Sequence, residues 1–170
     1  MRELEGNTDY IHKYDYRGNC LSHTSPLGAV EHYAYDKLNR LINANLADGN
    51  ELTLLYNSYE DVVLAKDRYS EIAFTYDILG NITSRTEGER KLQYRYNDQG
   101  QLMSIINEKG EIYQFERDVK GNVIKEIGYD KQVFAYELDY SGLVKKVKRP
   151  GDRFTQYTYD KLCRVIRTDY

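Results

Sequence analysis

The chain has 170 residues, with 24 Lys and Arg against 27 Asp and Glu and a net charge of −3. That is the scale of one ordinary soluble domain, or of a piece of something larger. No apolar run approaches the roughly 18 residues of a membrane-spanning helix, and Met1–Gly6 has no apolar leader segment, so no signal peptide is expected here. The slight acidity argues against a nucleic-acid surface, which needs clustered positive charge. Two cysteines cannot make a disulfide framework.

One residue type is out of line: 18 Tyr, against 4 Phe and no Trp. Tyrosine favours strands and offers an apolar face with a polar tip. Its spacing is periodic. Aligned on a Tyr-Asp pair, units start at Tyr14, Tyr35, Tyr56, Tyr76, Tyr96, Arg117, Leu138 and Tyr159, always 20 or 21 residues apart.

Along the chain, the second position of each unit is Asp or Asn: Asp15, Asp36, Asn57, Asp77, Asn97, Asp118, Asp139 and Asp160. The fifth is Gly18, Asn39, Glu60, Gly80, Gly100, Gly121, Gly142 and Cys163. The seventh is apolar throughout: Cys20, Leu41, Val62, Ile82, Leu102, Val123, Val144 and Val165. Two residues before each start stand His12, Tyr33, Leu54, Phe74, Tyr94, Phe115, Tyr136 and Tyr157.

Asp at the first and Gly at the fourth place of a four-residue stretch is the preference of a type I turn. The apolar residue after it opens a strand. A second turn follows about seven residues later, as at Asp48-Gly49-Asn50, Glu87-Gly88-Glu89, Lys109-Gly110 and Pro150-Gly151-Asp152. The returning strand alternates with period two, as in Leu92-Gln93-Tyr94-Arg95-Tyr96. Each unit therefore reads as a β-hairpin, and residues 1–170 as a single all-β array of tandem hairpins.

Fifteen or sixteen antiparallel strands at about 4.8 Å each would run roughly 75 Å, and open sheets of that size curl. The expectation is one long curved or spiralling sheet, with Tyr and aliphatic side chains on one face and polar ones on the other. The sequence breaks off inside a unit, which reads as an excised piece with open edges prone to self-association.

The unit Tyr-Asp-x-x-Gly-Asn/Arg-apolar, closed by x-Tyr-x-Tyr-Asp, resembles the YD repeat of the Rhs family. Tyr76–Ile82 and Tyr35–Leu41 match it best, and the resemblance runs from about Tyr10 to Tyr170. The family includes polymorphic bacterial toxins, shell components of insecticidal Tc toxins, and teneurins. The resemblance implies a sheet that spirals into a hollow shell, with an enclosed toxin or effector polypeptide and the rest of the shell as partners. It also implies a secreted or cell-surface parent. Family shells end in an Asp-Pro-x-Gly-Leu-type self-cleavage region. Here Pro26 follows Ser25 and Pro150 follows Arg149, so neither autoproteolysis nor toxin activity carries over.

Chemistry of other kinds is thin. No nucleotide-binding glycine pattern, metalloprotease motif or nucleophile elbow occurs, and no catalytic residue or cofactor is expected. His12, Cys20, His23 and His32 include a Cys-x-x-His spacing that suits zinc. The repeat already accounts for His12 and Cys20, so no metal site is expected. Cys20 reads as a small core residue and Cys163 as an exposed thiol in a turn. The Tyr face could stack sugars, so a carbohydrate-binding module is the alternative. Without Trp, whose ring face binds cations best, the tyrosines read mainly as cross-strand pairs joining neighbouring hairpins.

Overall fold

A computed structural model describes residues 9–170; Met1–Gly6, where a leader was sought, lies outside them. The described residues are all β. They form sixteen strands, ordered β1 to β16 in one sheet with sequence neighbours side by side.

The chain divides into two compact units. The first, Met1–Tyr76 with Arg85–Glu89, holds β1 (Ile11–Tyr14), β2 (Cys20–Thr24), β3 (Val30–Tyr35), β4 (Leu41–Asn45), β5 (Glu51–Tyr56), β6 (Val62–Lys66) and β7 (Glu71–Tyr76). The second, Asp77–Ser84 with Arg90–Tyr170, holds β9 (Arg90–Tyr96), β10 (Leu102–Ile106), β11 (Ile112–Arg117), β12 (Val123–Ile127), β13 (Val133–Leu138), β14 (Val144–Lys148), β15 (Phe154–Tyr159) and β16 (Val165–Asp169). Strand β8 (Ile82–Glu87) is divided between them.

The hairpins share one register. The repeat residue at the end of the incoming strand faces the seventh residue of its unit: Tyr14↔Cys20, Tyr35↔Leu41, Tyr56↔Val62, Tyr96↔Leu102, Arg117↔Val123, Leu138↔Val144 and Tyr159↔Val165. A bulge stands beside each of these pairs. An extra residue there raises the local twist.

Among the described residues there is no second layer. Among the described residues only Ala44 is a buried apolar side chain, and no large side chain is fully buried. Cys20 is accordingly half-buried rather than a core residue. Ser22, Ser104 and Thr155 are the buried polar residues among those described. The two faces are also less distinct than the sequence suggested. Val30, Leu55 and Val133 alternate with the Tyr-bearing positions of their strands, so they lie on the other face, and all three are exposed. The fold is held by ladders within the sheet and by its turns more than by a core.

Candidate functional site

All eight first turns share one construction. The amide of the fifth residue donates to the carbonyl of the second, from Gly18 N to Asp15 O at 3.1 Å through Cys163 N to Asp160 O at 3.0 Å. The amide of the second residue donates to the sixth residue's carbonyl, as in Asp15 N to Asn19 O at 2.9 Å. Every fifth residue has positive φ, including Asn39 at 62°, Glu60 at 72° and Cys163 at 60°. This is a turn followed by a left-handed residue in a bulge, a common way to close a three-residue hairpin loop. Glu60 and Cys163 keep the geometry of glycine without its freedom.

The second-position carboxylate or amide organises each loop. Its Oδ1 accepts the amides two and four residues on, as Asp77 does from Leu79 (2.9 Å) and Asn81 (2.9 Å). The same pair of bonds recurs at Asp15, Asp36, Asn57, Asn97, Asp118, Asp139 and Asp160.

The second and sixth positions are chemically matched. An Asp, which can only accept, meets a donor: Asn19 on Asp15, Arg40 on Asp36, Asn81 on Asp77, Asn122 on Asp118 and Arg164 on Asp160, at 2.7–3.0 Å. Where the second residue is Asn, its NH2 donates instead, from Asn57 to Asp61 and from Asn97 to Gln101, both at 3.0 Å. Only Leu143 has no polar group to offer. These bonds hold carboxylates below their ordinary range. Asn19, Asn81 and Asn122 contribute most at Asp15, Asp77 and Asp118, and the amides of Arg40 and Arg164 at Asp36 and Asp160.

The repeat tyrosine joins one unit to the one before. Tyr56 OH donates to Leu41 O (2.8 Å), Tyr76 to Val62 O (2.7 Å), Tyr96 to Ile82 O (2.8 Å) and Tyr159 to Val144 O (2.7 Å). In each case where the register is given, the accepting carbonyl lies just past the last ladder pair, such as Leu64↔Ala73 or Lys146↔Gln156. The hydroxyl satisfies an acceptor that the ladder leaves behind. Arg117 does the same work by other means, its Nη2 and Nε donating to Leu102 O at 3.0 and 3.3 Å. Leu138 has no donor.

The tyrosines were expected to form cross-strand pairs that join neighbouring hairpins. Among the described residues, Tyr113 and Tyr129 (5.6 Å, edge-on) are the Tyr–Tyr contact. Other ring contacts join Tyr113 to Phe115 and link Tyr10, His12, Tyr14 and His23. At four of the seven junctions between units the link is a hydroxyl on a carbonyl.

Two tyrosines on the Tyr face bond to carboxylates. Tyr33 OH donates to Glu31 at 2.5 Å, and Tyr113 OH donates to Glu126. Each bond, helped by partial burial, pushes the phenol up to about 12.

The histidine cluster does not converge. His12 and His23 face each other across β1 and β2 with rings stacked at 4.8 Å. Cys20 Sγ is 4.0 Å from His12 Nδ1, and His23 Nδ1 is 3.5 Å from Glu31. His32 pairs with Ser22 and so lies on the opposite face from His23. Among the described residues no group of three or more His, Cys, Asp or Glu is placed to hold a metal ion.

Comparison with known proteins gives one reading throughout. The family model described as Teneurin YD-shell matches residues 44–170, and RHS Repeat matches residues 14–51. The tRNA3(Ser)-specific nuclease WapA of Bacillus spizizenii is 27% identical over 151 residues, covering 88% of this chain and 5% of that protein. Two solved structures share the fold. A TcdB2-TccC3 structure without its hypervariable C-terminal region has a TM-score of 0.77 at 16% identity, and covers 92% of this chain and 10% of its own. TcdB2-TccC3-Cdc42 has a TM-score of 0.75 at 15% identity, and covers 89% and 10%. The chain thus spans about a tenth or less of the relatives it matches. With the match to 44–170 and eight turns of one construction, the chain belongs to the teneurin-type YD-shell family of Rhs repeat proteins.

Proposed function

We propose that this chain is a non-enzymatic wall segment of a YD-repeat shell that encloses or displays a toxin or effector polypeptide, within a secreted or cell-surface parent. The observation that carries this reading is the single-layered sheet, in which no large side chain is fully buried. A free-standing domain buries its apolar face against a second layer. A wall presents that face to whatever it surrounds. The repeat positions Tyr14, Tyr35, Tyr56, Tyr76, Tyr96 and Tyr159 and their turn partners are then structural, and no catalytic residue, cofactor or metal is required.

The test is protease shielding in the full parent protein. A tagged C-terminal domain should resist digestion in the intact parent. It should become sensitive when Tyr56, Tyr76 and Tyr96 are changed together to Ser. Equal sensitivity in both proteins sinks the enclosure reading. Saturable glycan binding, lost on Tyr→Ala substitution along one face, would instead make the chain a surface-binding module.

A further inference from the structure

Positive charge gathers at one end of the chain. Residues 144–170 hold eight Lys and Arg against three Asp, whereas residues 1–143 hold sixteen against twenty-four Asp and Glu. Five of those eight cations, Lys145, Lys146, Lys148, Arg149 and Arg153, belong to β14 and the turn after it, within the second unit. Lys146 and Lys148 are two residues apart in the strand and so share a face, and Lys148 stands opposite Phe154 on β15. Lys146 Nζ lies 4.1 Å from the centre of the Phe154 ring. The turn sets two arginines at its base, where the Arg149 amide donates to the Arg153 carbonyl at 2.8 Å.

These cations are short of partners. Lys148 Nζ pairs with Glu137 at 2.6 Å. That bond, with Lys146 and Lys145 adding to it, holds the Glu137 carboxyl below its ordinary range. Among the described residues no carboxylate forms an ion pair with Lys146, Arg149 or Arg153. Arg149 Nη1 donates to the Thr155 hydroxyl and Arg153 Nε to Pro150 O at 3.1 Å, which leaves each guanidinium further N–H donors. A cleft of about 190 Å³ is lined by Lys146, Lys148, Arg149, Asp152, Arg153 and Phe154. That is smaller than the roughly 300–1,000 Å³ of a site that encloses a whole ligand, so it suits one charged group of a larger molecule. A second cleft, of about 450 Å³, shares Arg149, Asp152, Arg153 and Phe154 and adds Tyr170.

We propose that this turn binds a soluble phosphate ester, its phosphate among Lys146, Lys148 and Arg153 and its organic part in the cleft that Phe154 and Tyr170 line. An ammonium is a compact point charge and a guanidinium a planar fork. Together they meet a tetrahedral oxyanion from several sides, whereas a carboxylate offers its two oxygens in one plane. A phosphate ester also carries about −1.5 to −2 charge at neutral pH. Asp152 sets one opposing charge against the three cations around the phosphate. Glu137 and Asp152 stand among these cations, whereas an anionic membrane would select uniform positive charge. The proposal goes beyond the wall reading and needs neither enclosure nor further repeats.

The experiment is isothermal titration calorimetry of the chain with phenyl phosphate at about 0.15 M salt, where charges more than about 8 Å away are screened. Binding should saturate at one ester per chain. It should be about tenfold tighter than that of inorganic phosphate, which lacks the ring, or of benzoate, which lacks the tetrahedral group. Lys146→Ala with Arg153→Ala should weaken it about tenfold or more, the worth of one charge-assisted hydrogen bond. Lys145→Ala with Lys161→Ala removes the same charge outside the cleft and should change it less than about twofold. Asp152→Asn should tighten binding about threefold by removing the opposing charge, a gain that a misfolded chain cannot give. The β-sheet circular dichroism should be the same in all these chains. No binding of phenyl phosphate, equal weakening by the two Ala pairs, or benzoate or inorganic phosphate bound as tightly overturns the proposal. So does co-sedimentation with phosphatidylcholine–phosphatidic acid vesicles that the Lys146→Ala, Arg153→Ala pair removes, with no phenyl phosphate bound. None of these failures touches protease shielding in the parent, so the wall reading stands or falls separately.

Discussion

The Tyr76 hydroxyl donates to the Val62 carbonyl oxygen at 2.7 Å, tying the first residue of one repeat to the start of the outgoing strand in the repeat before it. A carbonyl left beyond its ladder costs free energy unless something donates to it. The tyrosine ring supplies area and its hydroxyl supplies the bond, which Phe cannot do. The Arg117 bond to Leu102 O shows that the donor is the requirement and the phenol one way to meet it.

Tyr76→Phe should therefore lower stability by about 1 kcal/mol, the net worth of one such bond. Leu138→Tyr should raise it by about 0.5–1 kcal/mol by giving the Val123 carbonyl a donor. Urea denaturation followed by circular dichroism reads both. A Tyr76→Phe chain as stable as the parent would show that water serves this carbonyl equally well.

The matched second and sixth positions make a sharper test. Asn57 donates to Asp61, so Asn57→Asp sets two carboxylates against each other and should cost about 1–2 kcal/mol at neutral pH. Asp61→Asn added to it recreates the Asp–Asn arrangement of Asp77 and Asn81, and should restore most of the loss. The double-mutant cycle gives the coupling. Additive losses would mean that the side-chain bond is incidental and only the Oδ1 bonds to the backbone matter.

Much of this architecture was legible in the residues. The Tyr-Asp spacing fixed the hairpins, because Asp15 through Gly18 and seven similar stretches are turn chemistry at constant phase. Arg117 and Leu138 break the Tyr pattern yet keep the register, since pairing depends on the bulge and on Val123 and Val144 opposite. The second turns were half legible. Ser25–Ala29, Asp67–Ser70 and Gly128–Gln132 close loops without any constant signature. The tyrosine's carbonyl partner was not legible, because it depends on where the neighbouring ladder stops. The pairing of Asp with Asn or Arg, and of Asn with Asp or Gln, was in the sequence all along as a donor–acceptor complement four residues apart.

Neighbouring turns also constrain the fifth position. Gly18 and Gly121 share a φ of 88°, but a Cβ on Gly18 would meet open space while one on Gly121 would overlap Gln101 Nε2. Gly18→Ala should thus cost only the left-handed penalty, about 1–2 kcal/mol. Gly121→Ala should cost about 1 kcal/mol more, since moving Gln101 aside breaks its bond from Asn97. Pairing each change with Gln101→Ala should bring the two costs together. Equal costs without that second change would show that Gln101 swings away freely. By the same reasoning Cys163→Gly relieves a left-handed non-glycine residue and should stabilise the chain.

Tyr33 and Tyr113 give the chain an alkaline limit. Their bonds to Glu31 and Glu126 need the phenol protonated and raise it from 10.0 to about 12 in the fold. Between these values the unfolded chain has released protons that the folded chain still holds, so stability falls as pH rises. Below pH 10 both states hold the proton, and the contribution is complete and constant. Unfolding midpoints in urea should therefore be level up to about pH 10 and fall toward pH 12. In a Tyr33→Phe, Tyr113→Phe chain the midpoint should be lower at neutral pH and decline less across that interval. Absorbance at the phenolate band, followed through the same titration, should show these two tyrosines ionising last in the parent chain, after others that burial also raises. A Glu126→Gln chain should lose one of the two, because an amide carbonyl still accepts the hydrogen bond but no longer opposes a phenolate with a charge of its own. Unchanged late ionisation in that chain would assign the shift to burial and not to the carboxylate.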